Sequence, residues 1–234
     1  MTPEIKIFAD GAVLEDVPKL LAGGTLKGFT TNPTLMAKAG VKDYERFAKR
    51  FLDAVNGLPV SLEVFADDVP NMIRQARILA SWGDNVFVKI PVTNTAGEST
   101  AEAITQLSKA GVKLNVTAVF TRPQIDTLVP LFDGKTPAII SIFAGRIADA
   151  GVDPEPTVRY AVEQVRAKPN VEILWASCRE IFSVVLAAEA GCHIITVPND
   201  MLGKLKGLGR DLSEVSLDTV KMFYTDATSS GFRL

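Results

Sequence analysis

The strongest constraint on this chain is an alternation that repeats from end to end. Short apolar, β-branched runs recur at 5–10 (IKIFAD), 28–31 (GFTT), 60–65 (VSLEVF), 86–90 (VFVKI), 113–120 (KLNVTAVF), 138–144 (AIISIFA), 172–177 (EILWAS) and 193–198 (HIITVP). Between them lie segments with helical periodicity, such as 43–55, 69–82, 99–111, 155–168 and 179–191. Gly40, Gly111 and Gly191 follow such segments, where a glycine can close a helix, and Pro123, Pro154 and Pro156 stand at or just before helix starts. Strict strand–helix alternation implies a parallel sheet. Eight units within 234 residues imply a closed (β/α)8 barrel, the TIM-barrel arrangement, rather than an open doubly wound sheet.

No linker or low-complexity stretch interrupts the series, so 1–234 reads as one domain, with 213–234 as a C-terminal helical extension. The apolar residues of that extension, Val215, Val220, Met222, Phe223 and Phe232, need a cover that a neighbouring subunit could supply.

Composition narrows the function classes. A formal net charge of −2 without long runs of one sign leaves no electrostatic footprint for nucleic acid or an anionic membrane. No uncharged apolar run is long enough to span a bilayer, and the first residues lack the pattern of a signal peptide. Cys178 and Cys192 are too few for a disulfide framework and form no CxxC pair, so a cytoplasmic, reducing compartment is expected. The single histidine, His193, stands where the last strand begins, and an ordinary strand role suits it. With one histidine no histidine-based metal cluster is available, no metal is expected, and no GxxxxGK[ST] or dinucleotide fingerprint calls for a nucleotide cofactor.

In a barrel the chemistry gathers at the carboxyl ends of the strands. Asp10 ends the first run, Thr31 and Asn32 the second; Glu63 lies on the third, Lys89 on the fourth, Asn115 and Thr117 on the fifth, Ser141 and then Arg146 on the sixth, Ser177 and Arg179 on the seventh. Each has an ordinary explanation. Asp10 before Gly11 can make a turn, Asn32 before Pro33 can cap a helix, and the arginines can be surface charges. Lys89 can extend its methylenes out of the core. Jointly, however, seven of the eight strand ends direct polar groups to one region. A lysine within a buried strand, nearby carboxylates and no usable histidine suit imine chemistry on a carbonyl compound.

The segments GFTTNPTL (28–35), VFVKIPVT (86–93), LNVTAVF (114–120), SIFAGRI (141–147) and ASCRE (176–180) together resemble the successive signature segments of the transaldolase family. The resemblance runs in order across nearly the whole chain. It implies a Schiff-base lysine at Lys89, a proton acceptor for the donor's carbon-4 hydroxyl at Asp10, and a water-holding pair at Glu63 and Thr117. It further implies hydroxyl-binding residues at Asn32, Asn115 and Ser141, phosphate-binding arginines at Arg146 and Arg179, and Thr31, Phe143 and Ser177 in the same substrate site.

The implied activity is transfer of a dihydroxyacetone unit from a ketose phosphate, of the sedoheptulose 7-phosphate or fructose 6-phosphate type, to an aldose, in the pentose phosphate pathway and without a cofactor. Glu63 and Phe143 match transaldolases; free fructose-6-phosphate aldolases typically carry glutamine and tyrosine there. Alternatives are such an aldolase, a transaldolase of a modified or sulfonated ketose, and a non-catalytic sugar-phosphate-binding barrel. Small members of the family form ring-like decamers, so a homo-oligomer is implied. The chain departs from the pattern at Ile142 for proline, at Phe29 for a small aliphatic residue, and at Cys178 and Glu180 within ASCRE.

Overall fold

The computed structural model describes residues 5–233. Eight strands close into a barrel in sequence order, each pairing in parallel with the next and the eighth with the first. They are β1 (Lys6–Asp10), β2 (Leu26–Thr30), β3 (Val60–Glu63), β4 (Val86–Pro91), β5 (Leu114–Val119), β6 (Ala138–Ile142), β7 (Val171–Trp175) and β8 (Ile194–Pro198). The intervening helices are α1 (Val17–Ala22), α2 (Pro33–Lys38), α3 (Tyr44–Ala54), α4 (Val69–Ala80), α5 (Ala101–Lys109), α6 (Arg122–Leu128), α7 (Ala144–Asp149), α8 (Glu155–Val165), α9 (Ser183–Glu189) and α10 (Asn199–Leu202). The (β/α)8 architecture expected from the alternation is the one observed.

Local chemistry sets the boundaries. Asn32, Asp43 and Asp68 accept the Leu35, Arg46 and Asn71 backbone N–H groups at 2.9, 3.0 and 2.9 Å, starting α2, α3 and α4. Thr121 and Gln124 form a reciprocal capping box on α6. Gly40, Gly111 and Gly191 take φ of 70°, 78° and 74° just beyond α2, α5 and α9, a conformation that costs a side-chain-bearing residue. The fourth expected helix begins with Pro154 as its cap and Pro156 in its first turn.

Outward strand residues pack against the helices. Phe29 is fully buried, and its ring meets Phe51 of α3 edge-on, with centroids 5.4 Å apart. Such a pair adds about 0.5–1.5 kcal/mol beyond the area it buries. The space for the unusual Phe29 is thus shared with an aromatic on the covering helix. Ile142, also fully buried, pairs with Val119 on one side and Trp175 on the other.

Inside the barrel the chemistry changes with height. Phe8, Ile139, Leu174, Ala176 and Ile194 form one apolar cluster, with Phe87 and Phe143 against it, that rises to the carboxyl end of β7 at Leu174 and Ala176. Gly28 makes room for the Phe8 ring, since a Cβ there would lie 2.5 Å from it. Burying side chains of this size stabilises the fold by about 1.5–3 kcal/mol each. The carboxyl-terminal half is polar, with Thr30, Ser61, Lys89, Asn115, Thr117, Ser141 and Thr196 all buried.

Residues through Leu202 and those from Gly203 form two compact units. In the second, α11 (Leu212–Ser229) is capped by Asp211, which accepts from Ser213 and Glu214 N–H. Arg210 pairs with Asp218 at 2.6 Å. Leu212, Leu217, Val220, Met222, Phe223, Tyr224 and Phe232 are exposed. No helix among the described residues is long and apolar enough to cross a membrane.

Candidate active site

The polar half of the barrel opens into a cavity of about 470 Å³ at the carboxyl ends of the strands. Of the side chains singled out in the sequence, Asp10, Asn32, Glu63, Lys89, Thr117, Ser141, Phe143, Arg146, Ser177 and Arg179 line it. Thr31 and Asn115 do not. Thr31 turns its hydroxyl to the Ser61 carbonyl at 2.9 Å. Asn115 is fully buried, donates to Ser61 Oγ at 2.9 Å and accepts from Ser141 Oγ at 2.6 Å, a strut between β3, β5 and β6 that fixes how Ser141 faces the cavity.

Lys89 is the centre. Its side chain is 8% exposed, and its Nζ donates to the Thr31 carbonyl at 2.9 Å and stands 3.2 Å from Glu63 Oε2. Neighbouring strands hold the pair in register, Glu63 opposite Lys89 and Lys89 opposite Asn115. A buried ammonium is tolerated when a carboxylate and a carbonyl satisfy it, and here one of each does.

Asp10 accepts from Thr30 Oγ1 at 2.8 Å, and that hydroxyl lies 2.5 Å from Thr196 Oγ1. Burial pushes the Asp10 carboxyl above the usual carboxylate range, while the Thr30 hydrogen bond and the positive charge of Lys89 pull it back. A carboxyl whose pKa is raised by folding destabilises the folded state once it ionises, so stability falls as the pH rises through the folded value. Asp10→Asn, which keeps the acceptor for Thr30, should therefore melt at a higher temperature than the unmodified chain at pH 7. The gap should close as the pH falls below the usual carboxylate range. A lower melting temperature at pH 7 would contradict this origin of the shift.

β5 carries a bulge. Its register with β6 shifts between Val116 and Val119, and Ala118 adopts φ of 58°. The bulge aims Thr117 at the cavity, where its buried Oγ1 has no protein partner. Ser177, at the end of β7, likewise takes φ of 66°, and its carbonyl is so near α7 that a Cβ on Gly145 would lie 1.6 Å from it. That close approach places Arg146 beside Ser177 and Arg179 at one side of the mouth.

The two arginines are not equivalent. Arg179 forms an ion pair with Asp149, whereas Arg146 has no carboxylate partner among the described residues and sits over the Phe143 ring, 5.7 Å from its centroid. Phe143 packs on Phe120 at 5.6 Å. The Cys178 thiol donates to the Glu180 carbonyl at 3.2 Å, and burial holds that thiol above its usual pKa. Glu180 itself lies outside the cavity lining.

Sequence reasoning missed Thr30, whose hydroxyl donates to Asp10, Thr196, whose hydroxyl adjoins that of Thr30, and Lys38, which adds a cation to the lining. The threonines carried a signal: each lies an even number of residues from a cavity residue on its own strand or the register partner of one. Lys38 on α2 carried none.

His193 is absent from the lining of this cavity; it stands one residue before β8 and not within the strand as expected, and its Nδ1 accepts from Ile173 N–H at 3.0 Å.

Comparisons with known proteins bear on the fold and the family. The solved structures it resembles include 2,3-dimethylmalate lyase, a PEP mutase/isocitrate lyase superfamily member, at a TM-score of 0.55 with 14% identity over 98% of this chain and 85% of that one. A truncated 3-deoxy-D-arabino-heptulosonate 7-phosphate synthase from Thermotoga maritima gives a TM-score of 0.51 with 17% identity over 98% and 88%. At such identities the likeness concerns the fold alone.

Sequence relatives are nearer. A Listeria monocytogenes protein named "Probable transaldolase 2" is 38% identical over 202 residues, 86% of this chain and 88% of its own. A Dehalococcoides mccartyi protein named "Probable transaldolase" is 36% identical over 199 residues, 85% of this chain and 88% of its own. The family profile described as Transaldolase/Fructose-6-phosphate aldolase matches residues 7–233. With a lysine and carboxylates gathered in the cavity of a closed eight-stranded barrel, and relatives at this identity over most of its length, the chain belongs to the transaldolase/fructose-6-phosphate aldolase family.

Proposed function

We propose that this protein is a transaldolase that moves a dihydroxyacetone unit from a ketose phosphate to an aldose through an imine on Lys89. The observation that carries the reading is the placement of the Lys89 amine, almost fully buried, within 3.2 Å of the Glu63 carboxylate at the floor of an otherwise open cavity.

The Lys89 amine attacks the donor's ketone carbon, and the carbinolamine loses water to give the imine. Glu63 and Thr117 hold that water between them and pass its protons, a task that suits a carboxylate beside the amine and a hydroxyl without another partner. Asp10 takes the proton of the carbon-4 hydroxyl, the carbon–carbon bond breaks, and the leaving aldose keeps the new carbonyl. The electron pair stays on the three-carbon enamine at Lys89, which adds to an acceptor aldehyde; hydrolysis then frees the new ketose.

Asn32 and Ser141 bind the hydroxyls of the three-carbon unit. Asn115 acts through Ser141, and Thr31 through the carbonyl that anchors Lys89. Arg146 is the first ligand of the donor's anionic group, because Arg179 must share its charge with Asp149; Ser177 lies beside them. The aromatic wall of Phe143 and Phe120 offers no hydroxyl to protonate the enamine, which favours transfer over release of free dihydroxyacetone.

The pentose phosphate pathway and the cytoplasm are the setting this reading assigns. The exposed apolar residues of α11 would be covered in a homo-oligomer, as in the ring-like decamers of small relatives.

The test is incubation with fructose 6-phosphate without an acceptor, reduction with borohydride, intact mass and peptide mapping. The expected result is a reduced three-carbon adduct on Lys89. Steady release of dihydroxyacetone without acceptor would favour the aldolase reading. Failure of any phosphorylated or sulfonated ketose to form an adduct with folded protein would overturn the imine mechanism and leave a binding barrel.

A further inference from the structure

The β2–β3 junction is interrupted where the reactive lysine needs it to be. Phe29 pairs with Val60 and Thr30 with Ser61, and Thr31 N–H donates to the Ser61 carbonyl at 3.2 Å. In a parallel ladder the next rung would run from Glu63 N–H to the Thr31 carbonyl. Pairing stops before it. The Thr31 carbonyl instead accepts the Lys89 amine at 2.9 Å, and Glu63 N–H goes to the Tyr44 hydroxyl at 3.2 Å. That same hydroxyl donates back to the Glu63 carbonyl at 3.3 Å. On the other side β3 stays paired with β4 as far as Glu63 and Lys89.

We propose that Tyr44 is a positioning residue for the Lys89–Glu63 pair: its hydroxyl takes both backbone groups of Glu63 and so reserves the Thr31 carbonyl for the Lys89 amine. The inference rests on the reading of Lys89 as the imine-forming amine.

Tyr44 is suited to the task. It is the first residue of α3, whose start is pinned by the Asp43 cap. Its ring lies between Phe65, edge-on at 4.6 Å, and Trp82, tilted at 5.9 Å, contacts a phenylalanine at 44 would keep. Burial raises its pKa well above that of a free phenol, which keeps the proton it donates to Glu63. Without the hydroxyl the Glu63 N–H is unpaired, and the carbonyl that the next rung of the ladder would offer it, that of Thr31, is the one Lys89 uses.

Tyr44→Phe removes one oxygen and leaves both aromatic contacts. Dihydroxyacetone is the probe, because it forms the three-carbon imine directly and needs no anion site. With borohydride quenching, the rate at which Lys89 acquires the adduct should fall about tenfold in this variant, a loss of the size expected for one hydrogen bond. The dihydroxyacetone concentration at half-maximal rate should stay within twofold. Phe65→Leu, which loosens the same packing but keeps the hydroxyl, should react at the unmodified rate.

A Tyr44→Phe rate within twofold of the unmodified protein would overturn the proposal, as would equal slowing in both variants. If Tyr44→Phe fails to fold, amide hydrogen exchange on the unmodified protein decides: protection of the Glu63 N–H is expected, and exchange at the rate of a free amide would overturn it. Absence of any adduct in the unmodified protein is a different failure, that of the imine reading itself.

Discussion

Lys89→Met should abolish turnover, by more than about 10⁴-fold, because no other amine can take over an attack that needs a nucleophile at this point in the cavity. Lys38, the other lysine of the lining, lies on α2, outside the ring of strands that carries Glu63, Thr117 and Asp10. Methionine fills nearly the same space as the lysine stem, so the barrel should still form. The substitution leaves Glu63 without its counter-charge. Because that carboxylate opens on the cavity, it can take up water, and the loss of stability should be smaller than the roughly 3–5 kcal/mol of a fully enclosed broken pair. Circular dichroism reads the fold, and peptide mapping after borohydride reads the adduct. A folded variant that turns over at the unmodified rate would remove Lys89 from the mechanism.

Gly145→Ala should damage both fold and site. Its new methyl would need to occupy a point 1.6 Å from the Ser177 carbonyl carbon's oxygen, and backbone on both sides leaves little to yield. The first turn of α7 must retreat from the end of β7, at a cost of about 3 kcal/mol. For a barrel of this size that lowers the melting temperature by roughly 6–12 °C. The displacement also separates Arg146 from Ser177 and Arg179, so the Michaelis constant for a phosphorylated donor should rise more than that for dihydroxyacetone. A thermal melt and kinetics with both compounds check the two halves, and an unchanged melting temperature would mean that the approach of α7 to β7 is not as tight as described.

The sequence made the strands legible because a parallel barrel buries both faces of every strand, and continuous apolar runs such as 86–90 and 138–142 have few other uses. β2 was the least legible. It begins at Leu26, two residues before the run that marks it, because the exposed Lys27 breaks the apolar pattern, and it ends at Thr30 because Thr31 leaves the ladder. Most of the candidate site was legible for a related reason: a polar residue inside such a run, like Glu63 or Lys89, has few uses except at the barrel's centre.

What was hidden depends on contacts across the fold. The bulge at Ala118 has no glycine to announce it. Asn115 alternates in step with Thr117, yet it is withdrawn from the cavity by hydrogen bonds to Ser61 and Ser141, which local spacing cannot show. The Arg179–Asp149 pair joins residues from separate barrel units. Tyr44, on a helix outside the strands, carried no signal at all.

The apolar cluster of Phe8, Ile139 and Ile194 fills the barrel beneath the cavity, which opens at the carboxyl ends of the strands. On the proposed imine reading, the first aldose would leave through the same mouth by which the second reaches the three-carbon fragment on Lys89. On that reading the covalent chemistry sets the order of the two sugars, and the filled floor of the barrel makes them share one mouth.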